Sequence, residues 1–239
     1  MMIASLDIVE FLIEPYRETP AIFIILEFIA AFFGVLSVFY AKKENILVYP
    51  VGIISTALYV YLLARWVLYG DMIINIYYTL MSIYGWYMWS RVIDDKKHHI
   101  PISWANRKDY LIASGIFVFT SVFVIFVYRH YNVMPNDLNF KESFKFAVTH
   151  LTSHQLSDLR TATPFVDTFA TGIFFAGMWF MANKKIDNWI LWIIGDFVSI
   201  PLYFVKGYGF TGIQYTIFLI LAIAGYISWK KKYNALKVS

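Results

Sequence analysis

Lys42-Lys43-Glu44-Asn45, with Gly52 seven residues past the asparagine and Gly85-Trp86-Tyr87-Met88-Trp89 closing the stretch, decides how this chain is read, because the pattern returns. Lys184-Lys185, Asn188, Gly195 and a closing Gly225-Tyr226-Ile227-Ser228-Trp229 repeat its order and nearly its spacing. Each copy, residues 26–89 and 165–229, is three apolar runs joined by turns. On the Asn-to-Gly match, Trp189 aligns with Ile46, Trp192 with Tyr49 and Asp196 with Ile53. A duplicated three-run unit in a strongly apolar chain points to a transporter with its site between the halves, since many transporter folds are assembled that way.

Of the 239 residues, 59% are hydrophobic and 20% aromatic, and the mean hydropathy is +0.59. Those values lie outside the range of a soluble domain. Runs long enough to cross about 30 Å of hydrocarbon, roughly 20 residues each, fall near 21–41, 46–65, 71–90, 109–129, 164–182, 188–206 and 209–229. With seven spans, the fourth returns the chain to its starting side, so both units begin with the same orientation. The expected fold class is an all-α integral membrane protein: two parallel three-helix repeats joined by a connector helix, 3+1+3. Its segments are 1–20 (an outer N-terminal piece), 21–90 (first repeat), 91–129 (cytoplasmic loop and connector), 130–163 (outer loop), 164–230 (second repeat) and 231–239 (cytoplasmic tail). In segment 1–20, Ile3, Leu6, Val9 and Ile13 suit either an interfacial amphipathic helix or a plain tail. Its acids and lack of a basic start argue against a signal peptide.

With the N-terminus outside, thirteen Lys and Arg residues fall on inner segments and seven on outer ones, which favours an outer N-terminus and a cytoplasmic C-terminus. The formal charge of +4 is spread over helix ends, so nucleic acid is not an expected partner. No cysteine is present, which excludes a disulfide framework, a thiolate nucleophile and a zinc-thiolate site. In the outer loop, Asn136-Asp137 can start a surface helix carrying Phe140, Phe144, Val148 and Leu151 over the outer mouth. His150 and His154 are four residues apart but have no carboxylate partner at metal-ligand spacing, so no metal is expected. His98-His99 read as a solvated turn.

A charge at the centre of a spanning helix costs about 2.5–3.5 kcal/mol on insertion scales, so each asks for a reason. Glu27, Asn75, Asp167 and Asp196 are such polar groups, with Gln214 nearer an end. Glu27 and Asp167 occupy like positions in the two copies and fit either gating or interhelical hydrogen bonding. Thr171, one turn beyond Asp167, suggests a local bonded pair.

Trp189, Trp192, Asp196, Ser199 and Tyr203 follow at steps of 3, 4, 3 and 4 and share one helical face. Two indoles a turn apart can grip a flat heteroaromatic ring, at about 1–3 kcal/mol for stacking and roughly 2 kcal/mol more for a desolvated cation. Asp196 would supply countercharge or accept from ribose hydroxyls. The plain alternatives are an interfacial belt for Trp189 and an interhelical strut for Asp196. Asn75, Tyr78, Ser82, Trp86 and Trp89 form a facing stripe, with the two Trp residues read as interfacial anchors. Asn75, Gln214 and Tyr49 join the candidate substrate contacts. Gly195 with Pro201, and Pro50 with Gly52, mark bending points or close helix packing.

Trp189-x-x-Trp192-x-x-x-Asp196 resembles the Trp-x-x-Trp-x-x-x-Asn signature of the nicotinamide riboside transporter (PnuC) family. Ser82 to Trp89 resembles that family's third-helix ending, and Ala224-Gly225-Tyr226 with Trp229 its last-helix ending. The resemblance covers about residues 25–90 and 164–232. It implies a seven-helix 3+1+3 bundle similar in layout to the SWEET sugar transporters, a homotrimer, and facilitated diffusion of an unphosphorylated vitamin across the inner membrane, with a cytosolic kinase trapping it. By motif match Trp189 and Trp192 would flank the ring, and Asn75 would replace a third-helix contact that is usually Gln. Asp196 departs from the usual Asn, and thiamine, another flat cation, is the alternative cargo. A receptor or assembly subunit without transport is the other class. The chain has no HExxH, GxSxG or Walker loop, and no lysine between Phe210 and Trp229 for a retinal Schiff base. Neither enzyme chemistry nor a cofactor is expected.

Overall fold

The computed structural model describes residues 12–66, 69–91 and 100–236. The positions Ile3, Leu6 and Val9 and the pair His98-His99 lie outside the described residues. After a 3-10 turn at Glu14–Tyr16 the described residues form eight α-helices: α1 (Ala21–Lys42), α2 (Val48–Arg65), α3 (Tyr69–Ser90), α4 (Arg107–His130), α5 (Phe140–Leu151), α6 (Leu156–Ala182), α7 (Asp187–Lys206) and α8 (Gly209–Leu236). Among the described residues there is no strand. One isolated bridge, Ser103 to Lys185, pins the approach to α4 against the α6–α7 turn.

Among the described residues six helices (α1, α2, α4, α6, α7 and α8) are long and apolar enough to cross a membrane. The seven expected spans include α3, which has 22 residues but falls short in apolarity because Asp71, Asn75 and several tyrosines dilute its isoleucines. The fifth expected span begins at 164; the helix starts eight residues earlier and runs through Pro164. Proline removes the bond to the carbonyl four residues back, and the Thr163 hydroxyl donates to that carbonyl, Arg160 O, at 2.8 Å. The last helix passes 230 to end at Leu236, its Lys232 ammonium bonding Lys43 O at 3.0 Å. The outer-loop helix begins at Asn139 rather than Asn136-Asp137, because Asn139 and Glu142 close a capping box.

Packing closes a ring. α1 lies on α2, α2 on α3, α3 on α6, α6 on α7, α7 on α8, and α8 back on α1. α4 and α5 pack against α6.

Where the helix ends of this ring converge, the two copies meet through matched contacts. The Trp89 indole donates to Met181 O at 3.2 Å, and the Trp229 indole donates to Ala41 O at 2.9 Å. Both donors and both acceptors are 140 residues apart. The same interval relates the turns: Asn45 N bonds Tyr40 O, and Lys185 N bonds Phe180 O. It also relates the positive-φ residues Glu44 and Lys184. Each first-copy ring lies over a glycine and edge-on to a tryptophan, as does its counterpart: Tyr49 over Gly85 and against Trp89, Trp189 over Gly225 and against Trp229.

The register inferred from the Asn-to-Gly spacing is therefore corrected by three residues. Trp189 answers to Tyr49, Trp192 to Gly52 and Asp196 to Thr56. The asparagines are not equivalents: Asn45 Oδ1 accepts from Leu47 N at 2.9 Å in the turn, whereas Asn188 lies inside α7.

Candidate functional site

Inside the ring is a cavity of about 740 Å³ lined from all six ring helices, with Tyr128 reaching in from α4. At one end Asp71, Arg160 and Tyr208 remain exposed. At the other, Ala41, Val48 and Trp189 are buried beneath the Trp89 and Trp229 bonds. The cavity is thus open at the end where α7 finishes and sealed where α7 begins.

Seven of the eight expected substrate contacts line it together: Asn75, Trp189, Trp192, Asp196, Ser199, Tyr203 and Gln214. Tyr49 does not. As Trp189's counterpart it is fully buried, with its ring filling the space beside Gly85. Trp189 is 1% exposed, which removes the interfacial-belt reading. Its Nε1–H finds no acceptor among the described residues. Trp89, expected as an interfacial anchor, is also buried, whereas Trp86 is exposed.

The two indoles of α7 have different surroundings. Trp192 stacks on Phe174 of α6 at 5.2 Å, Phe174 stacks on Tyr215 of α8 at 5.9 Å, and Tyr215 on Tyr203 of α7 at 4.9 Å. These near-parallel rings make an aromatic wall running from the sealed end toward the open one. It requires Gly195, since a side-chain carbon there would fall within the Phe174 ring. Aromatic side chains are too common here to have singled out Phe174 and Tyr215. The signal that could have found Tyr215 is its place 140 residues after Asn75.

Asp196 is 1% exposed and lines the cavity. No ion pair or hydrogen bond holds its carboxylate among the described residues. A buried carboxylate without a partner is costly, and either a proton or the cavity's contents must offset it.

Two of the carboxylates toward the open end, Asp167 and Glu27, are held by groups outside the helices that carry them. Lys206 of α7 pairs with Asp167 of α6 at 2.8 Å, and the Tyr128 hydroxyl donates to the same carboxylate oxygen. The expected Asp167–Thr171 bond does not form, because both stronger donors reach Asp167; Thr171 lines the cavity separately. Glu27, the counterpart of Asp167 at the 140-residue interval, accepts from the Tyr16 hydroxyl at 3.0 Å. Burial, then the Glu27 charge, pushes the Tyr16 hydroxyl above its ordinary range. Asp71 also lines the cavity and is absent from the polar set that the sequence pattern singles out. Its position near a helix end hid it.

His150 bonds Phe146 O within α5 at 2.8 Å. α5 stops before His154, so the helical histidine pair does not arise. Among the described residues no group of three metal-ligating side chains is found.

A family model described as Nicotinamide mononucleotide transporter matches residues 24–231. The chain belongs to that family. It is similar to the nicotinamide riboside transporter PnuC of Escherichia coli K12, at 23% identity over 208 residues covering 85% of this chain and 84% of that protein. Similarity to the PnuC of Neisseria mucosa is 24% over 210 residues, 85% of this chain and 71% of that one. The riboflavin/roseoflavin transporter RibM of Streptomyces davaonensis is 24% identical over 153 residues, 62% of this chain and 58% of that protein. A crystal structure of the vitamin B3 transporter PnuC superposes with a TM-score of 0.58 at 21% identity, covering 94% of this chain and 89% of that one. The last comparison concerns fold alone. The protein is accordingly a multi-pass membrane protein of a transporter family.

Proposed function

We propose that this protein carries nicotinamide riboside across the inner membrane by facilitated diffusion. The observation that carries this reading is the charge of the aromatic-walled cavity. Glu27, Asp71, Asp167 and Asp196 face only Arg160 and Lys206 among its lining residues. A flat pyridinium stacks on the wall and meets the unpaired Asp196. A phosphorylated mononucleotide would bring about 1.5 to 2 negative charges into a chamber already rich in carboxylates. The relatives named as nicotinamide riboside transporters support the same cargo. Thiamine, another flat cation, is the second reading, favoured by Asp196 standing unpaired.

In this proposal α3 is the seventh span, at about 33 Å for 22 residues. The arrangement is 3+1+3 and SWEET-like, with α4 as connector, the N-terminus outside and the C-terminus cytoplasmic. The closed ring and the shared 140-residue interval support it, since matched helix ends lie in one layer. We also propose a homotrimer and trapping of the cargo by a cytosolic kinase.

Uptake into proteoliposomes tests the cargo. Saturable uptake of labelled nicotinamide riboside, competed poorly by thiamine and not by nicotinamide mononucleotide, is expected, with no dependence on a pH gradient. Preference for thiamine would move the assignment to the second reading. Accumulation against a gradient without any kinase would refute facilitated diffusion.

A further inference from the structure

We propose that Trp89 and Trp229 form a reciprocal latch that closes one end of the transport path, and that this end opens only when both indole bonds are given up. The inference rests on the transport reading above and adds the gate to it.

The latch joins the halves crosswise. Trp89, at the end of α3, donates to the last turn of α6; Trp229, in α8, donates to the last turn of α1. Neither bond lies within its own three-helix unit. Any movement that parts the units at this end therefore breaks both together, and both donors are fully buried. The two indoles also touch, with ring centres 5.9 Å apart, so displacing one removes packing from the other.

The latch is tied to the cargo site through Trp189. Its ring lies over Gly225 and edge-on to Trp229 at 5.5 Å, and it lines the cavity above. A ring or side chain that shifts Trp189 must press on Trp229, which connects occupancy of the cavity to the bond with Ala41. On the first-copy side Tyr49 holds the equivalent place beneath Gly85 without facing the cavity. The latch is symmetric, but the lever that reaches the cavity belongs to one half.

An ionic strap covers the latch. Glu44, in the α1–α2 turn, bonds Lys184 at 2.8 Å and Lys232 at 3.0 Å, linking the first unit to two segments of the second. Lys184 is buried and sits 4.7 Å from the centre of the Trp89 ring. Its ammonium thus bridges Glu44 and the latch.

The chain contains no cysteine, so Ala222→Cys, buried at the sealed end of the cavity, provides a single reporter. Membrane vesicles of defined orientation would be treated with an impermeant maleimide on the latch side. Trp89→Phe and Trp229→Phe remove the N–H but keep a ring. Each is expected to raise the labelling rate about threefold to tenfold, as loss of one buried hydrogen bond implies, and the double variant by more than either. Glu44→Gln, a near-isosteric change at a half-buried side chain that leaves both indole donors in place, should raise it in the same direction. Unchanged labelling in all folded variants, Glu44→Gln included, overturns the latch, whether or not nicotinamide riboside is taken up. Faster labelling in a protein that transports none of the tested vitamins upholds the latch while removing the cargo assignment.

Discussion

Replacing Asp196 with asparagine separates charge from shape, because the two side chains are nearly isosteric. In the folded protein this carboxylate is 1% exposed and unpaired, facing a cavity. A cation about 5 Å away, at an effective dielectric near 20, gains about 3 kcal/mol from it. Water in the open half of the cavity reduces that to roughly 1–3 kcal/mol, or about tenfold to a hundredfold in affinity. Asp196→Asn should therefore raise the KM for nicotinamide riboside by that factor. It should leave binding of the uncharged, reduced dihydro form almost unchanged. Stability should move the other way, since the substitution removes the cost of burying an unpaired charge; the empty protein should gain about 1–3 kcal/mol. Uptake competition with both forms and a thermal melt in detergent measure the three effects. An equal loss for charged and uncharged forms, or a melt that falls while KM stays fixed, would refute the countercharge role.

Three further substitutions probe the wall and the open end. Trp192→Ala removes the first ring of the stack and should cost about 1–3 kcal/mol of binding, read as roughly tenfold or more in KM, and the melt should also fall because Phe174 loses its stacking partner. Gly195→Ala puts a methyl group into the Phe174 ring and should destabilise by about 1–3 kcal/mol; its melt and its uptake should fall together. Lys206→Met leaves Asp167 with only the Tyr128 hydroxyl and should lower stability by about 1–3 kcal/mol. The neutral double variant, Lys206→Met with Asp167→Asn, should recover part of that loss.

The duplication was legible because Gly85 and Gly225 each admit a ring from the preceding helix, so both had to be glycine. Trp89 and Trp229 follow at the same distance, since each must reach across to the other unit's carbonyl. Those positions are set by backbone geometry, which sequence spacing records faithfully. The α1–α2 and α6–α7 turns misled because the Asn-to-Gly interval recurs by accident. Their true landmarks are backbone features, the positive φ at Glu44 and Lys184, and neither residue is a glycine that would announce it. The shared face of Trp189, Trp192, Asp196, Ser199 and Tyr203 was readable from helical spacing alone. Phe174 and Tyr215 were not, because ring stacking depends on the angle between helices, which no single-helix pattern contains.

The corrected register also changes what is unusual about the site. Under it, Trp192 and Asp196 stand where the first copy has Gly52 and Thr56, and Tyr215 stands where it has Asn75. At these three positions the first copy gives the cavity small or neutral polar groups, while the second gives it an indole, an acid and a phenol. At the sealed end the two copies remain matched, bond for bond. A path that must close needs halves that grip each other equally, so symmetry survives where the units meet. A site that must recognise one face of a flat, charged molecule gains nothing from symmetry, since the molecule has none. Exchanging the latch tryptophans should therefore disturb opening from either half, whereas exchanging Trp192 or Asp196 should disturb recognition with no equivalent response at Gly52 or Thr56.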